Sequence, residues 1–307
     1  MNHLLNVVII TVCIFGLWGG AVWVVESASR IARKLGLSEL VIGLTIVAIA
    51  TSAPEFAVTV SAALKGQSAI SVGNVVGSNI FNLGVILGLV ALFSTLKTTK
   101  ALIYRDGIVL ILTGVLLLIF FYDLKLEFYE GIVLFTALII YITVLVKQKQ
   151  DVDEDVPEGA FKLSDIPKLI LGGIIIVTSA HFFVESSSEL ARLFGISEWL
   201  IGVTIVAAGT SAPELATSIV AVTKGKHGIS AGNLIGSDIF NMLGVLGIAS
   251  ILRPLGIEQS DYISLIIMVI TLLILMVFMR TGWKLTRGEG VLILLIGIAR
   301  WAIAFMV

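Results

Sequence analysis

Hydrophobic residues along this 307-residue chain fall into ten long runs, at roughly 4–28, 38–64, 69–93, 102–122, 127–146, 167–190, 197–223, 228–252, 261–279 and 288–306. Each is close to the ~20 residues that a helix needs to cross the hydrocarbon core of a bilayer. The apolar positions are continuous and do not alternate, which fits helices and not the strands of a membrane barrel. The pattern therefore predicts an all-α polytopic membrane protein with ten transmembrane helices. The opening Met1-Asn2-His3-Leu4 has no basic segment and no small-residue cleavage site, so the first run is expected to remain as a span. The longest polar stretch, 147–166, divides the runs five and five. It predicts a first half at 1–146, a cytoplasmic linker, and a second half at 167–307. The linker acids Asp151, Asp153, Glu154, Asp155 and Glu158 lack the glycine-centred spacing of an EF-hand loop, which favours a solvated connection over a regulatory Ca²⁺ site.

Composition narrows the class further. Charged residues are 13% of the chain and hydrophobic residues 58%, with a mean hydropathy of +1.08. Soluble domains carry about 25% charged residues, so a water-soluble, disordered or fibrous protein is excluded. One cysteine, Cys13, rules out an intramolecular disulfide framework and a cysteine metal cluster. A net charge of −1 gives no basis for a nucleic-acid partner. Placing the N-terminus outside puts 15 of the 20 Lys and Arg residues on inner connections and 5 on outer ones. That bias predicts a cell-membrane protein with both termini outside.

The chain repeats itself. Residues 25–89 align without a gap to residues 184–248, 159 positions later, with about half the positions identical. Each copy lies in a five-span half, and an odd number of spans forces the second half to enter from the opposite face. Inverted-topology repeats of this kind are the architecture of secondary transporters, with the site near the midplane where the repeats meet.

Within each copy polar residues sit where the bilayer tolerates them least. One copy has Thr51-Ser52-Ala53-Pro54-Glu55 and the other Thr210-Ser211-Ala212-Pro213-Glu214. A carboxylate at mid-membrane costs ~2.5–3.5 kcal/mol even on insertion scales. No Lys or Arg lies near mid-span to balance the pair, which leaves either a bound cation or protonated glutamates hydrogen-bonded across the bundle. Pro54 and Pro213 lie deep in spans, where each removes a backbone donor and breaks the helix, freeing carbonyls just before it. Freed carbonyls, hydroxyls and carboxylates are all oxygen donors, suited to Na⁺ and Ca²⁺ and not to soft transition metals. The next span in each copy carries Gly73-Asn74 followed by Gly77-Ser78-Asn79 and Asn82, or Gly232-Asn233 followed by Gly236-Ser237-Asp238 and Asn241. Ser78 shares a helix face with Asn82, and Ser237 with Asn241. The four glycines form small-xxx-small pairs that permit close helix approach.

TSAPE followed by GNxxGSxxxN, present twice, resembles the α-repeats of the Na⁺/Ca²⁺ exchanger family, within the cation/Ca²⁺ exchanger superfamily, and most resembles its compact prokaryotic and archaeal members. The resemblance implies a cluster of one Ca²⁺ site and flanking Na⁺ sites around the two glutamates. Glu55 and Glu214 would ligate Ca²⁺, together with backbone oxygens of Thr51 and Thr210. One Na⁺ site would use Ala48, Ser52 and Ser78 with Glu55. The other would use Ala207, Ser211 and Ser237 with Glu214. Asn82 and Asn241 would line the centre, and Asn74, Asn233, Asn79 and Asp238 would be accessory. Two departures stand out. Some archaeal members and the K⁺-dependent branch carry Asp at the position of Asn241, so its amide here argues against K⁺ co-transport. Asp238 stands where the other copy has Asn79, free to ligate, pair with a neighbour or stay protonated.

The function expected is antiport of Na⁺ against Ca²⁺ by alternating access, without a cofactor and by a chain read as monomeric. One Ca²⁺ or two Na⁺ neutralise two carboxylates, which makes the ions mutually exclusive. Glycines in the first and sixth spans (Gly16, Gly19, Gly20, Gly172 and Gly173) would let those spans slide. The rival is an H⁺/Ca²⁺ antiporter of the same fold, whose motif carries a histidine after the glutamate; here none follows Glu55 or Glu214, and His181 reads as a packing residue. A cation channel would need a continuous pore. An enzyme would need a nucleophile–base pair or nucleotide loop, and the sequence shows neither.

Overall fold

The computed structural model describes residues 2–148, 160–196, 201, 205 and 207–303. The linker acids therefore lie outside the described residues, as does most of 197–206. Twelve helical pieces account for the expected spans. They are α1 (Asn2–Leu35), α2 (Glu39–Thr51), α3 (Ala53–Leu64), α4 (Ser68–Phe93), α5 (Leu102–Asp123), α6 (Phe128–Lys147), α7 (Asp165–Leu193), α8 (Ala207–Thr210), α9 (Ala212–Thr223), α10 (His227–Leu252), α11 (Gln259–Arg280) and α12 (Arg287–Ile303). Among the described residues seven of these are long and apolar enough to cross a bilayer unbroken, and α2 with α3 forms an eighth span bent by 51°. The remaining two spans are represented by the short α9, behind α8, and by the 17-residue α12.

The bend is dictated locally. Ser52 leaves the helical region (φ −81°, ψ 11°), and Pro54 then stands in the first turn of α3, where its missing N–H is no loss. Ser211 (φ −90°, ψ 8°) and Pro213 do the same at the start of α9. The helix is broken at the serine, and the proline opens the next segment. Four wide, π-type turns were not expected from the sequence: Gly43–Val47 within α2, Asn82–Ile86 within α4, Leu102–Gly107 within α5 and Phe240–Val245 within α10.

The duplication is written into the backbone. Two-residue strands Leu96–Lys97 (β1) and Lys125–Leu126 (β2) in the first half have repeat mates Leu255–Gly256 (β3) and Lys284–Leu285 (β4). β1 pairs antiparallel with β4, and β2 with β3, so each ladder ties one half to the other. Leu124 (φ 65°) and Trp283 (φ 55°), the non-glycine residues with left-handed backbone, are themselves repeat mates. A Cβ on Gly131 would lie 2.7 Å from the Gly247 carbonyl oxygen, and one on its mate Gly290 3.0 Å from that of Gly88, the mate of Gly247.

The apolar interior falls into two clusters that share α2, α9 and α10. A large apolar core joins α2, α4, α5, α6, α10 and α11. A second cluster centres on α1, with Leu17, Ala21, Val24, Val25 and Ala28, and joins it to Ile176 and Ala180 of α7, Ile42 and Val47 of α2, Val220 and Ala221 of α9 and Ile229 of α10. Helices α1 and α7 touch backbone to backbone: a Cβ on Gly20 would stand 2.9 Å from the Gly172 carbonyl oxygen, and one on Gly172 2.9 Å from that of Gly20. Gly16 faces Ser179 in the same seam. Gly19 has open space, and Gly173 makes only an ordinary 3.8 Å contact with Ala50, so neither serves the close crossing.

Candidate cation-binding site

Each glutamate stands in the first turn of a helix that begins at a break. Glu55 lies in the first turn of α3 and Glu214 in the first turn of α9, where free N–H groups and the helix dipole favour negative charge. Both side chains are fully buried, as are Ser52, Ser211, Ser237, Asn79, Asp238, Asn82 and Asn241. Thr51, Ser78 and Thr210 are buried as well, at 1%, 4% and 8% exposure. The structure therefore brings the motif residues of both repeats into one dry pocket.

The pocket is stitched across the repeats. Ser52 donates to Glu214 Oε1 at 2.9 Å, and Ser211 donates to Glu55 Oε1 at 3.1 Å. Ser237 donates to Glu214 Oε1 at 3.3 Å, and Ser78 hydrogen-bonds Glu55. Thr51 Oγ1 lies 3.4 Å from Ser237 Oγ and donates to Asn233 Oδ1 at 3.0 Å. This regroups the flanking sets expected from the motif. Ser52 and Thr51 sit with Ser237 and Glu214, and Ser211 sits with Ser78 and Glu55. Each break thus lies beside the other repeat's glutamate. Ala48 is buried at the start of the last α2 turn and receives the Thr51 hydroxyl on its carbonyl at 3.2 Å. Ala207 opens α8.

Asn74 and Asn233 tie the glutamate helices to their neighbours, and Asn233 also receives the Thr51 hydroxyl. Each donates to the backbone carbonyl of its own repeat's glutamate at 3.3 Å and to a hydroxyl one turn on, Thr59 or Ser218, at 2.9 Å. They clamp α4 to α3 and α10 to α9. Of the small-residue pairs, only the second makes a close approach. A Cβ on Gly232 would lie 2.7 Å from Leu40 O and one on Gly236 2.6 Å from Leu44 Cα, whereas no described residue comes within 4 Å of an added Cβ at Gly73 or Gly77. The segment of the second half equivalent to the Leu40–Leu44 backbone lies largely outside the described residues. His181 is exposed on α7 and packs edge-on against Phe182 at 5.3 Å, away from the glutamates.

At the centre, Asn82 donates its amide to Asp238 Oδ1 at 3.0 Å, and the mate Asn241 donates to Asn79 Oδ1 at 3.2 Å. Asp238 thus faces the repeat interface and pairs with Asn82. Among the described residues nine buried side-chain atoms have no hydrogen-bond partner, and five of them are carboxylate or amide oxygens of the two motifs: Glu55 Oε2, Glu214 Oε2, Asn82 Oδ1, Asn241 Oδ1 and Asp238 Oδ2. Unsatisfied buried acceptors are costly, and this set is all oxygen, with no soft ligand. No group of three or more His, Cys, Asp or Glu is placed to hold a metal among the described residues. The donor set of carboxylates, amides and hydroxyls fits a hard cation.

Comparison with known proteins agrees with this chemistry. The family model described as sodium/calcium exchanger protein matches residues 5–147 and 166–305. The sodium/calcium exchanger MaX1 of Methanosarcina acetivorans is 36% identical over 94% of this chain and 95% of its own length. The inner membrane protein YrbG of Escherichia coli is 32% identical over 88% of this chain and 87% of its own. The solved sodium–calcium exchanger NCX_Mj, soaked without Na⁺ and Ca²⁺, superposes with a TM-score of 0.87 at 32% identity, covering 99% of both chains. With both halves matched, and with relatives and a solved structure aligned along nearly the whole length, the chain is a multi-pass membrane protein that belongs to the sodium/calcium exchanger family.

Proposed function

We propose that this protein exchanges Na⁺ for Ca²⁺ across the cell membrane by alternating access to the two-glutamate pocket. The observation that carries the reading is the set of five donor-less oxygens, drawn from both repeats and buried with Glu55 and Glu214. A single Ca²⁺, or Na⁺ ions in its place, offsets the two carboxylates that no Lys or Arg in the pocket balances. Glu55 and Glu214 would bind Ca²⁺ directly. Ser52, Thr51 and Ser237 would serve one flank of the pocket, Ser211, Ser78 and Thr210 the other, with Asn82 and Asn241 between. An empty, doubly charged pocket resists moving through the membrane interior, and a neutralised one does not, which couples the two ions. The moving part would be α1 with α7, whose seam is lined by Gly16, Gly20 and Gly172 and whose apolar cluster rests on Ile42 and Val47 of α2, Val220 and Ala221 of α9 and Ile229 of α10. With both termini outside, the ion pairs Glu26–Lys224 and Glu39–Lys226 fall on the cytoplasmic side.

The test is Ca²⁺ uptake into vesicles loaded with Na⁺ or with choline. Uptake should require internal Na⁺. Uptake driven by a pH gradient without Na⁺ would make the protein a proton antiporter, and uptake with no counter-ion at all would make it a channel.

A further inference from the structure

We infer that Asp238 is a positioning residue: it fixes the amide of Asn82 so that the carbonyl oxygen, and not the N–H, faces the cation pocket. This rests on the exchanger reading of the site. A carboxylate is an acceptor, and an asparagine amide has one acceptor end and one donor end. Asp238 Oδ1 takes the Asn82 Nδ2 donor at 3.0 Å. The other end of that amide, Oδ1, is then turned away from Asp238; it is buried and has no donor in the protein. Reversing the amide would set Asn82 Oδ1 against a carboxylate oxygen and point an N–H at the place where a cation is held.

The mate position shows why this is particular to one side. Asn79 stands where the second repeat has Asp238, and it receives Asn241 Nδ2 on its own Oδ1 at 3.2 Å. A neutral amide can present either end, and Asn79 is fixed only by a long 3.3 Å bond from its Nδ2 to the Asp238 carbonyl. Asp238 is therefore involved on both sides: its side chain orients Asn82 directly, and its backbone orients Asn79, which orients Asn241. Its carboxyl group is fully buried at the repeat interface. Its Oδ1 is taken up by the Asn82 amide, the contact through which it acts on the ion.

The experiment is equilibrium binding of ⁴⁵Ca²⁺ to purified protein in Na⁺-free buffer, with the Ca²⁺ KM of Na⁺-driven uptake alongside. Asp238→Asn frees the Asn82 amide to turn over, and the Ca²⁺ Kd should rise about tenfold, the scale of one charge-assisted hydrogen bond. Asn82→Ala should give a similar rise, and the double variant Asp238→Asn with Asn82→Ala should be no weaker than Asn82→Ala alone, because both act on one oxygen. Exchanging the pair, Asn82→Asp with Asp238→Asn, keeps an acceptor oxygen toward the pocket and a donor–acceptor bond behind it. That swap should return the Kd to within about threefold of wild type. Additive losses in the double variant, or a folded swap that stays as weak as Asp238→Asn, would overturn the positioning role. If Asp238→Asn does not fold, the swap and Asn82→Ala decide the question. Wild type that binds Ca²⁺ beside an unchanged Asp238→Asn sinks this inference alone. Wild type that binds no Ca²⁺ sinks the exchanger reading and this inference with it.

Discussion

The two halves agree at the centre and differ at the ends. Around the glutamates nearly every bond has its mate: Ser52 with Glu214 and Ser211 with Glu55, Asn74 with Thr59 and Asn233 with Ser218, Asn82 with Asp238 and Asn241 with Asn79. Away from the centre the match is only partial. Glu26 of α1 pairs with Lys224 at 2.6 Å, and Arg30 pairs with Asp165 at 2.8 Å. The mates of Glu26 and Lys224 are Glu185 and Lys65; both are exposed, and they make no ion pair among the described residues. The mates of Arg30 and Asp165 are Glu189 and Asn6, joined by one amide–carboxylate bond of 3.0 Å. The second difference is written in the sequence, whereas Glu26 with Lys224 and Glu185 with Lys65 are the same residues at both ends, so the first reflects the conformational state. One end is latched and the other is not, while the pocket between them keeps its symmetry.

The largest expected effect tests the symmetric centre. Glu55→Gln and Glu214→Gln should each abolish Na⁺-driven Ca²⁺ uptake, a loss of at least about a hundredfold, because each removes one of two charges facing a divalent ion in a low-dielectric pocket. If one variant kept wild-type uptake, the equivalence of the halves would be broken. Next come the crossing serines. Ser52→Ala and Ser211→Ala each delete a hydrogen bond to a carboxylate and a hydroxyl oxygen of the pocket, and uptake should fall about twentyfold in both. Side-by-side KM measurements check this; a gap of more than about fivefold between them would show that the flanks are not equivalent.

Much of this centre was legible in the sequence. The offset of 159 located both glutamates, both breaks and the paired serines and asparagines, because a mid-membrane polar residue has few uses. What the sequence hid depends on how the halves face one another. That Ser52 reaches Glu214 depends on how the two broken helices meet, which no spacing records. Asp238 lies about 100° around the helix from Ser237 on an ideal α-helix, and the wide turn at Phe240–Val245 changes which faces meet. The two-residue ladders carry no pattern of their own. The glycines Gly19 and Gly173 read like their neighbours Gly20 and Gly172, and only the crossing distinguishes them.

That distinction gives a third test. Gly20→Ala puts a Cβ 2.9 Å from the Gly172 carbonyl oxygen, whereas Gly19 has nothing within 4 Å. Overpacking of this kind costs about 1–3 kcal/mol. If the seam between α1 and α7 is part of the moving body, Gly20→Ala should lower the maximal uptake rate about tenfold with Ca²⁺ KM little changed, and Gly19→Ala should do neither. A lowered melting temperature with an unchanged maximal rate would make the seam structural only.

The smallest effect addresses the ends. Glu26 and Lys224 are 41% and 37% exposed, so their pair is screened and worth about 0.2–1 kcal/mol, at most a fivefold bias between states. Neutralising it with Glu26→Gln should shift the population away from the state with this end latched. Neutralising the mate with Glu185→Gln should shift it the other way, since by symmetry Glu185 and Lys65 meet only when the opposite end closes. The reporter is a thiol placed at the exposed Gly73 of α4 by Gly73→Cys in a Cys13→Ser background, labelled from outside with an impermeant maleimide. Glu26→Gln should slow labelling by up to about fivefold, Glu185→Gln should speed it, and raised salt should shrink the first effect, as screening requires. Equal shifts in the same direction would mean that the charges act on the surface potential and not on a latch. In that case the difference between the two ends would not mark the conformational state of the molecule.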